Sequence, residues 1–71
     1  MKRYAVIIER GPTSFGAWVP DLPGCVAAAE TDVEVRQLIR EAMELHVSAM
    51  LADGDPIPEP TTMIDYVALA S

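Results

Sequence analysis

The chain bends sharply in the stretch Trp18-Val19-Pro20-Asp21-Leu22-Pro23-Gly24-Cys25. Its two prolines fix the backbone and remove N–H donors, and Gly24 is free to adopt a positive φ. Segments with many apolar residues flank the bend on both sides. The pattern therefore predicts a turn between two strands, one from Phe15 to Val19 and the other from Cys25 to Glu30.

Two more strands are predicted near the ends of the chain. Lys2 to Glu9 is rich in β-branched and aromatic residues and precedes a turn at Gly11-Pro12-Thr13-Ser14. Thr62 to Leu69 has the same apolar, strand-forming character. It follows the proline-rich connector from Asp55 to Pro60, so it is predicted to be the last strand.

A single long helix is predicted between the third and the last strand. Thr31 or Asp32 can cap its first turn, and Glu34 follows Thr31 at the spacing of a capping box. The apolar periodicity continues to about Ala52, and Gly54 provides a C-terminal stop signal.

The predicted fold class is α+β, with the element order β-β-β-α-β in one domain over residues 1–71. A right-handed crossover through the helix would bring the last strand parallel to the first. We therefore expect a four-stranded mixed sheet with the helix packed on one face. We expect no DNA-binding domain in these 71 residues and only a thin core.

Both faces of the predicted sheet are apolar. In the first strand Tyr4, Val6 and Ile8 point to one side, and Ala5 and Ile7 point to the other. One helix covers only one face, so a second copy is the simplest cover for the other. The sequence thus predicts a homodimer or a higher even oligomer. The expected interface residues are two from the sheet and two from the helix: Ala5, Ile7, Val47 and Leu51.

Charge and composition narrow the range of partners. The net charge is −6 and the pI is about 4.4, so direct binding to nucleic acid is not expected.

Tyr4 to Ile8 is too short for the core of a signal peptide, and no stretch approaches the roughly 20 apolar residues that span a membrane. Together with a single cysteine, these features predict a cytoplasmic protein.

The sequence contains no recognisable catalytic or metal-binding motif. Cys25 and His46 are the obvious reactive residues, but each is better explained as a buried structural side chain. The acidic residues of the helix fall on its outer arc, where charge is normally solvated. We therefore expect no enzyme activity, no cofactor and no metal. Trp18 is either a core residue or an interface anchor.

The bend, together with the segment Asp53-Gly54-Asp55-Pro56-Ile57-Pro58-Glu59-Pro60, resembles the HicB-like antitoxin family in its short form. The helix segment Glu41-Ala42-Met43-Glu44-Leu45-His46 resembles it as well. The resemblance implies a partial RNase H-like fold without nuclease activity. It also implies a partner, a HicA-type toxin, which is a small, basic, RNA-cleaving protein.

An acidic antitoxin and a basic toxin have complementary charges. The acidic residues expected to contact the toxin are Glu30, Asp32 and Asp55. An alternative function stays open: an orphan oligomeric domain of the same family that acts as a scaffold or binds a small molecule.

Overall fold

The computed structural model describes residues 1–70, which form a three-stranded antiparallel sheet and one helix. The elements in chain order are β1 (Ile7–Arg10), β2 (Phe15–Trp18), β3 (Val26–Ala29) and α1 (Asp32–Ala52). The strands are ordered β1-β2-β3, so β2 is central and β1 and β3 each have a free edge. The α+β class is confirmed.

The loop between β2 and β3 is built from two consecutive turns. Leu22 N–H donates to Val19 C=O at 3.1 Å, and Cys25 N–H donates to Leu22 C=O at 3.0 Å. The second turn carries Pro23 followed by Gly24 with φ of 86°, the residue order that a type II turn requires. The two turns place every third residue inward, so that Val19, Leu22 and Cys25 are all buried.

These three loop residues form half of the fully buried core. Ala17 from the central strand and Val35 and Ile39 from the helix complete it. The helix packs over β3 and β2 and leaves β1 to one side. The core is therefore small and lies between the helix, the central strand and the loop, as expected for a short chain.

Both ends of α1 are closed by local hydrogen bonds. Thr31 is the N-cap, and its Oγ1 accepts from the Glu34 backbone N–H at 3.1 Å. At the other end Gly54 N–H donates to Leu51 C=O and Asp55 N–H donates to Met50 C=O, with φ of 74° at Gly54. This pair of bonds is the Schellman arrangement. The predicted helix bounds, from Thr31 or Asp32 to about Ala52, are confirmed.

The chain after the helix returns along its own N-terminal segment. Lys2 Nζ lies 2.6 Å from Glu59 Oε1, and the Tyr4 hydroxyl donates to Pro58 C=O at 2.5 Å. Beyond them, the Asp21 carboxylate accepts hydrogen bonds from Thr61 and Thr62. The connector is thus fixed to residues that lie far away in sequence.

The predicted fourth strand is wrong. Among residues 1–70, Thr62 to Leu69 pairs with neither β1 nor any other strand, so the four-stranded mixed sheet and its parallel pair are not formed. Strand propensity reports a preference for extended backbone, but it does not supply a hydrogen-bonding neighbour. The first strand also begins later than predicted, because its pairing with β2 starts at Ile7 and leaves Lys2 to Val6 outside the ladder.

Candidate protein-interaction surfaces

The sheet face that points away from the helix carries a row of apolar side chains. Ile7 stands opposite Trp18, and Trp18 stands opposite Val26, so the three form one line across the strands. Trp18 is 37% exposed and Val26 is 64% exposed. The prediction that both faces of the sheet are apolar therefore holds for this row, and Trp18 lies on the open face and not in the core.

An apolar groove lies on the opposite face of the sheet, between β1 and the helix, because α1 packs over β3 and β2. Val6 and Ile8 form one wall, and Ile39 and Met43 of α1 form the other. The groove also has two cationic neighbours, Arg36 and Arg40. The Arg36 Nε bonds to Asp32 Oδ1 one turn earlier, whereas Arg40 forms no ion pair within residues 1–70.

The C-terminal segment, residues 63–70, is exposed along its whole length. Met63 and Tyr66 are each 91% exposed, and Leu69 is 84% exposed. Its first half faces β1 across an open cleft that is lined by Val6, Ile7, Ile8, Met63, Ile64, Asp65 and Tyr66. Within the described chain, no hydrogen bond joins the backbone of this segment to another residue. An extended apolar segment with unpaired backbone is an unusual surface for a monomer.

The three acidic residues expected to contact a partner do not lie together. Glu30 and Asp32 flank the start of α1, whereas Asp55 follows its end, and a helix of 21 residues is about 30 Å long. Asp32 is engaged by Arg36. Glu30 and Asp55 are exposed. One compact partner surface therefore does not include all three residues unless it spans the length of the helix.

The four expected interface residues are divided between two environments. Ala5 precedes β1 and Ile7 begins it; both are half-buried, and Ile7 belongs to the open-face row. Val47 packs against the core, so it is less available than its position on the helical wheel implies. Leu51 is exposed near the helix end.

Cys25 and His46 have the positions of structural residues. Cys25 is buried in the core, and its burial raises the pKa of the thiol. A raised pKa keeps the sulfur in the neutral form, which is a poor nucleophile. His46 is half-buried on α1. Within residues 1–70, no group of three or more His, Cys, Asp or Glu side chains is arranged to hold a metal ion.

Asp21 is the structurally important acidic residue that the sequence reasoning did not single out. Its Oδ2 accepts from the backbone N–H groups of Thr61 and Thr62, each at 3.0 Å. Its Oδ1 accepts from the two hydroxyls, at 3.2 Å for Thr61 and 2.8 Å for Thr62. These bonds, those from Thr62 first, hold the pKa of the Asp21 carboxyl below its usual value. The signal was an acid between two prolines in the bend, with two threonines after the connector.

Sequence comparisons identify proteins that are similar to this chain. A sequence profile described as "HicB_like antitoxin of bacterial toxin-antitoxin system" matches residues 4–70. A UPF0150 protein of Synechocystis sp. is 31% identical over 67 residues, covering 93% of this chain and 85% of that protein. An uncharacterised 14.9 kDa protein of Haemophilus phage HP1 is 31% identical over 64 residues and 90% of this chain; the match spans 48% of the phage protein.

A solved structure is similar as well. A chain of a structure titled "HicA3 and HicB3 toxin-antitoxin complex" superposes with a TM-score of 0.71 and 28% identity, over 84% of this chain and 70% of that chain. In the part of the chain that the structure describes, no helix is both long and apolar enough to cross a membrane. Because the profile match extends over nearly the whole sequence, the chain belongs to the HicB-like antitoxin family of bacterial toxin–antitoxin systems.

Proposed function

We propose that this protein is an antitoxin that binds a HicA-type, RNA-cleaving toxin in the cytoplasm and blocks its active surface by protein–protein contact. The observation that carries the proposal is the structural similarity to a chain of the HicA3 and HicB3 complex, supported by the family match. Such a role requires a surface that fits the toxin and no chemistry of its own.

Charge supports a basic partner. The net charge of −6 is distributed over exposed acidic side chains along the helix, around its two ends and on the connector. Complementary charges accelerate encounter and discriminate against other partners. The same charge disfavours binding to RNA, so the antitoxin competes with RNA for the toxin and does not bind RNA itself.

Glu30 and Asp55 are the acidic residues that we propose as direct contacts, with Asp32 as a third. Glu30 and Asp55 have no side-chain partner among residues 1–70, so pairing with a toxin cation breaks no existing bond. Asp32 must first release Arg36, which reduces its net contribution. We therefore expect Asp32 to contribute least of the three.

Co-expression with a HicA-type toxin encoded beside this gene tests the proposal. The expected results are restored growth and a co-purifying complex. Glu30→Lys and Asp55→Lys are expected to weaken the complex, and the loss should be smaller at high salt, which screens charge pairs. Glu9→Lys on β1 changes the net charge equally and is the matched control. Absence of a complex with the wild-type chain would overturn the proposal.

The alternative, a small-molecule-binding or scaffold role, is favoured by one feature. An open, mainly apolar groove lies between the N-terminal residues and the second half of α1, and it is lined by Met1, Lys2, Tyr4, Met43, Glu44, Val47, Ser48 and Ile57. Ligand-dependent chemical shift changes confined to this groove, in a chain that binds no toxin, would favour the alternative.

We also propose that the protein acts as a homodimer or a higher even oligomer. The apolar row on the open sheet face and the exposed C-terminal segment support this proposal. Exposed apolar surface of this kind is normally covered by another molecule. The mass of the protein by light scattering at micromolar concentration tests it, and a monomer would contradict it.

A further inference from the structure

We propose that the C-terminal segment, residues 63–70, is a strand that adds to the free edge of β1 in a second copy of this chain, and that the two copies exchange these segments. The inference rests on the proposed oligomer but not on toxin binding. It names the occupant of two surfaces that remain open in a single copy: the edge of β1 and the groove beside it.

The first observation is unpaired backbone on both sides of the proposed contact. β1 pairs only with β2, so its other edge presents unpaired N–H and C=O groups. Residues 63–70 likewise make no backbone hydrogen bond within the described chain. Pairing the two satisfies both sets of groups by strand addition.

The second observation concerns why the segment does not pair within its own copy. Thr61 and Thr62 are fixed by Asp21, and residues 63–66 then pass β1 across an open cleft. Residues 67–70 are left fully on the surface. The same copy therefore offers no cover for the second half of the segment, whereas a second copy offers the equivalent edge and groove once its own segment has been exchanged.

The third observation is the match between the segment and the groove beside β1. Alternation places Met63, Asp65, Val67 and Leu69 on one face of an added strand. The groove is apolar with Arg40 at its margin, and Arg40 has no ion pair within residues 1–70. An apolar face with one carboxylate thus meets an apolar groove with two guanidinium groups, of which that of Arg36 is already paired with Asp32.

The opposite face of the segment continues the exposed sheet face. It carries Ile64 and Tyr66, which would extend the row formed by Ile7, Trp18 and Val26. An added strand with these two faces therefore places apolar residues next to apolar residues on both sides of the sheet.

The area involved reaches the lower end of the range for a stable dimer. The exposed apolar side chains that the added strand would carry into the groove are Met63, Val67 and Leu69. Each large apolar side chain removes on the order of 100 Å² from water when buried. Counting two segments and the surfaces that receive them gives on the order of 1,200 Å², compared with roughly 1,200–2,000 Å² for stable interfaces.

Amide hydrogen exchange at several protein concentrations tests whether the two copies swap their C-terminal segments. In a dimer the backbone amides of residues 63–69 are expected to exchange about tenfold or more slowly than in dilute samples, where the dimer dissociates. The same protection in samples that light scattering shows to be monomeric would mean that the segment pairs within its own copy. A light-scattering dimer with unprotected amides in this segment would show a different interface. Either result would overturn the inference.

Charge and apolar variants provide matched controls. Val67→Glu should raise the dimer dissociation constant by about tenfold or more, because it places a charge in the groove. Val33→Glu is the control, since Val33 is similarly exposed (76%, compared with 73% for Val67) but lies at the start of α1. Asp65→Lys and Arg40→Glu should each weaken the dimer, and the double variant should recover part of the loss. Equal effects of Val67→Glu and Val33→Glu, or no recovery, would contradict the placement of Val67 and Asp65 in the groove.

Toxin binding by the same variants separates this inference from the proposed function. A chain that forms the exchanged dimer but binds no toxin would support the inference and overturn the antitoxin role. A chain that binds toxin as a monomer would support the antitoxin role and overturn the inference.

Discussion

Asp21 holds Thr62 with both of its carboxylate oxygens. Oδ2 accepts from the Thr62 backbone N–H at 3.0 Å, and Oδ1 accepts from the Thr62 hydroxyl at 2.8 Å. The two residues are separated by 41 positions, so this contact joins the loop after β2 to the start of the C-terminal segment. The direction in which residues 63–70 leave the body of the molecule is therefore set by one aspartate in the bend.

Asp21→Ala should lower the melting temperature and release the connector. The substitution leaves the Thr61 and Thr62 donors without their shared acceptor, and charge-assisted bonds are stronger than neutral ones. Thermal unfolding and amide exchange at residues 61–62 measure the two effects. Asp53→Ala is the control, because Asp53 has no side-chain hydrogen bond among residues 1–70. Equal losses in the two variants would contradict the anchoring role of Asp21.

The Asp21 contact also predicts a pH dependence. Its hydrogen bonds lower the pKa of the folded-state carboxyl below the usual value of 3.8. The contribution to stability is therefore fully present above that usual value and is lost as the pH falls through the lower, folded-state pKa. Chemical unfolding of the wild type and Asp21→Asn should show a constant stability difference near neutral pH that shrinks in acid. A difference that grows on acidification would have the wrong sign.

Leu22 should be the most sensitive position of the bend. Its side chain is fully buried although it lies in a loop. Leu22→Ala is expected to reduce the free energy of unfolding by about 2–5 kcal/mol, from lost burial and the cavity left behind. Leu51→Ala removes the same atoms from an exposed helical position and should cost about 0.5 kcal/mol or less. Urea unfolding of both variants decides whether the loop belongs to the core.

The local signals in the sequence predicted the elements whose causes are local. The helix bounds followed from Thr31, Glu34 and Gly54, because capping depends on residues three or four positions apart. The bend followed from Pro23 and Gly24. Both predictions concern hydrogen bonds that close within a few residues.

The failures concern contacts between distant residues. Thr62 to Leu69 has a strand-like pattern, but whether it forms a strand depends on a hydrogen-bonding neighbour that the pattern does not specify. The hydrogen bonds between Asp21 and Thr62 also could not be predicted, since no local sequence pattern relates these two residues. Charge alone indicated the acidic residues expected to contact the toxin, and charge does not determine where they lie. The structure places Asp55 at the opposite end of α1 from Glu30.

Two glycines provide a test of whether the backbone at the bend is as constrained as the structure indicates. Gly24 and Gly16 both have open space where a Cβ would be added, but only Gly24 has a positive φ, of 86°. Gly24→Ala should therefore destabilise the protein by about 1–2 kcal/mol, the cost of a left-handed conformation for a residue with a Cβ.

Gly16→Ala should leave stability unchanged or raise it by up to about 1 kcal/mol, because alanine restricts the unfolded chain. Unfolding of both variants by urea measures the contrast directly. Since steric contact is the same at the two sites, a difference between them reports the backbone conformation alone. Similar free energies for the two variants would mean that the turn from Leu22 to Cys25 relaxes to accept a side chain at little cost.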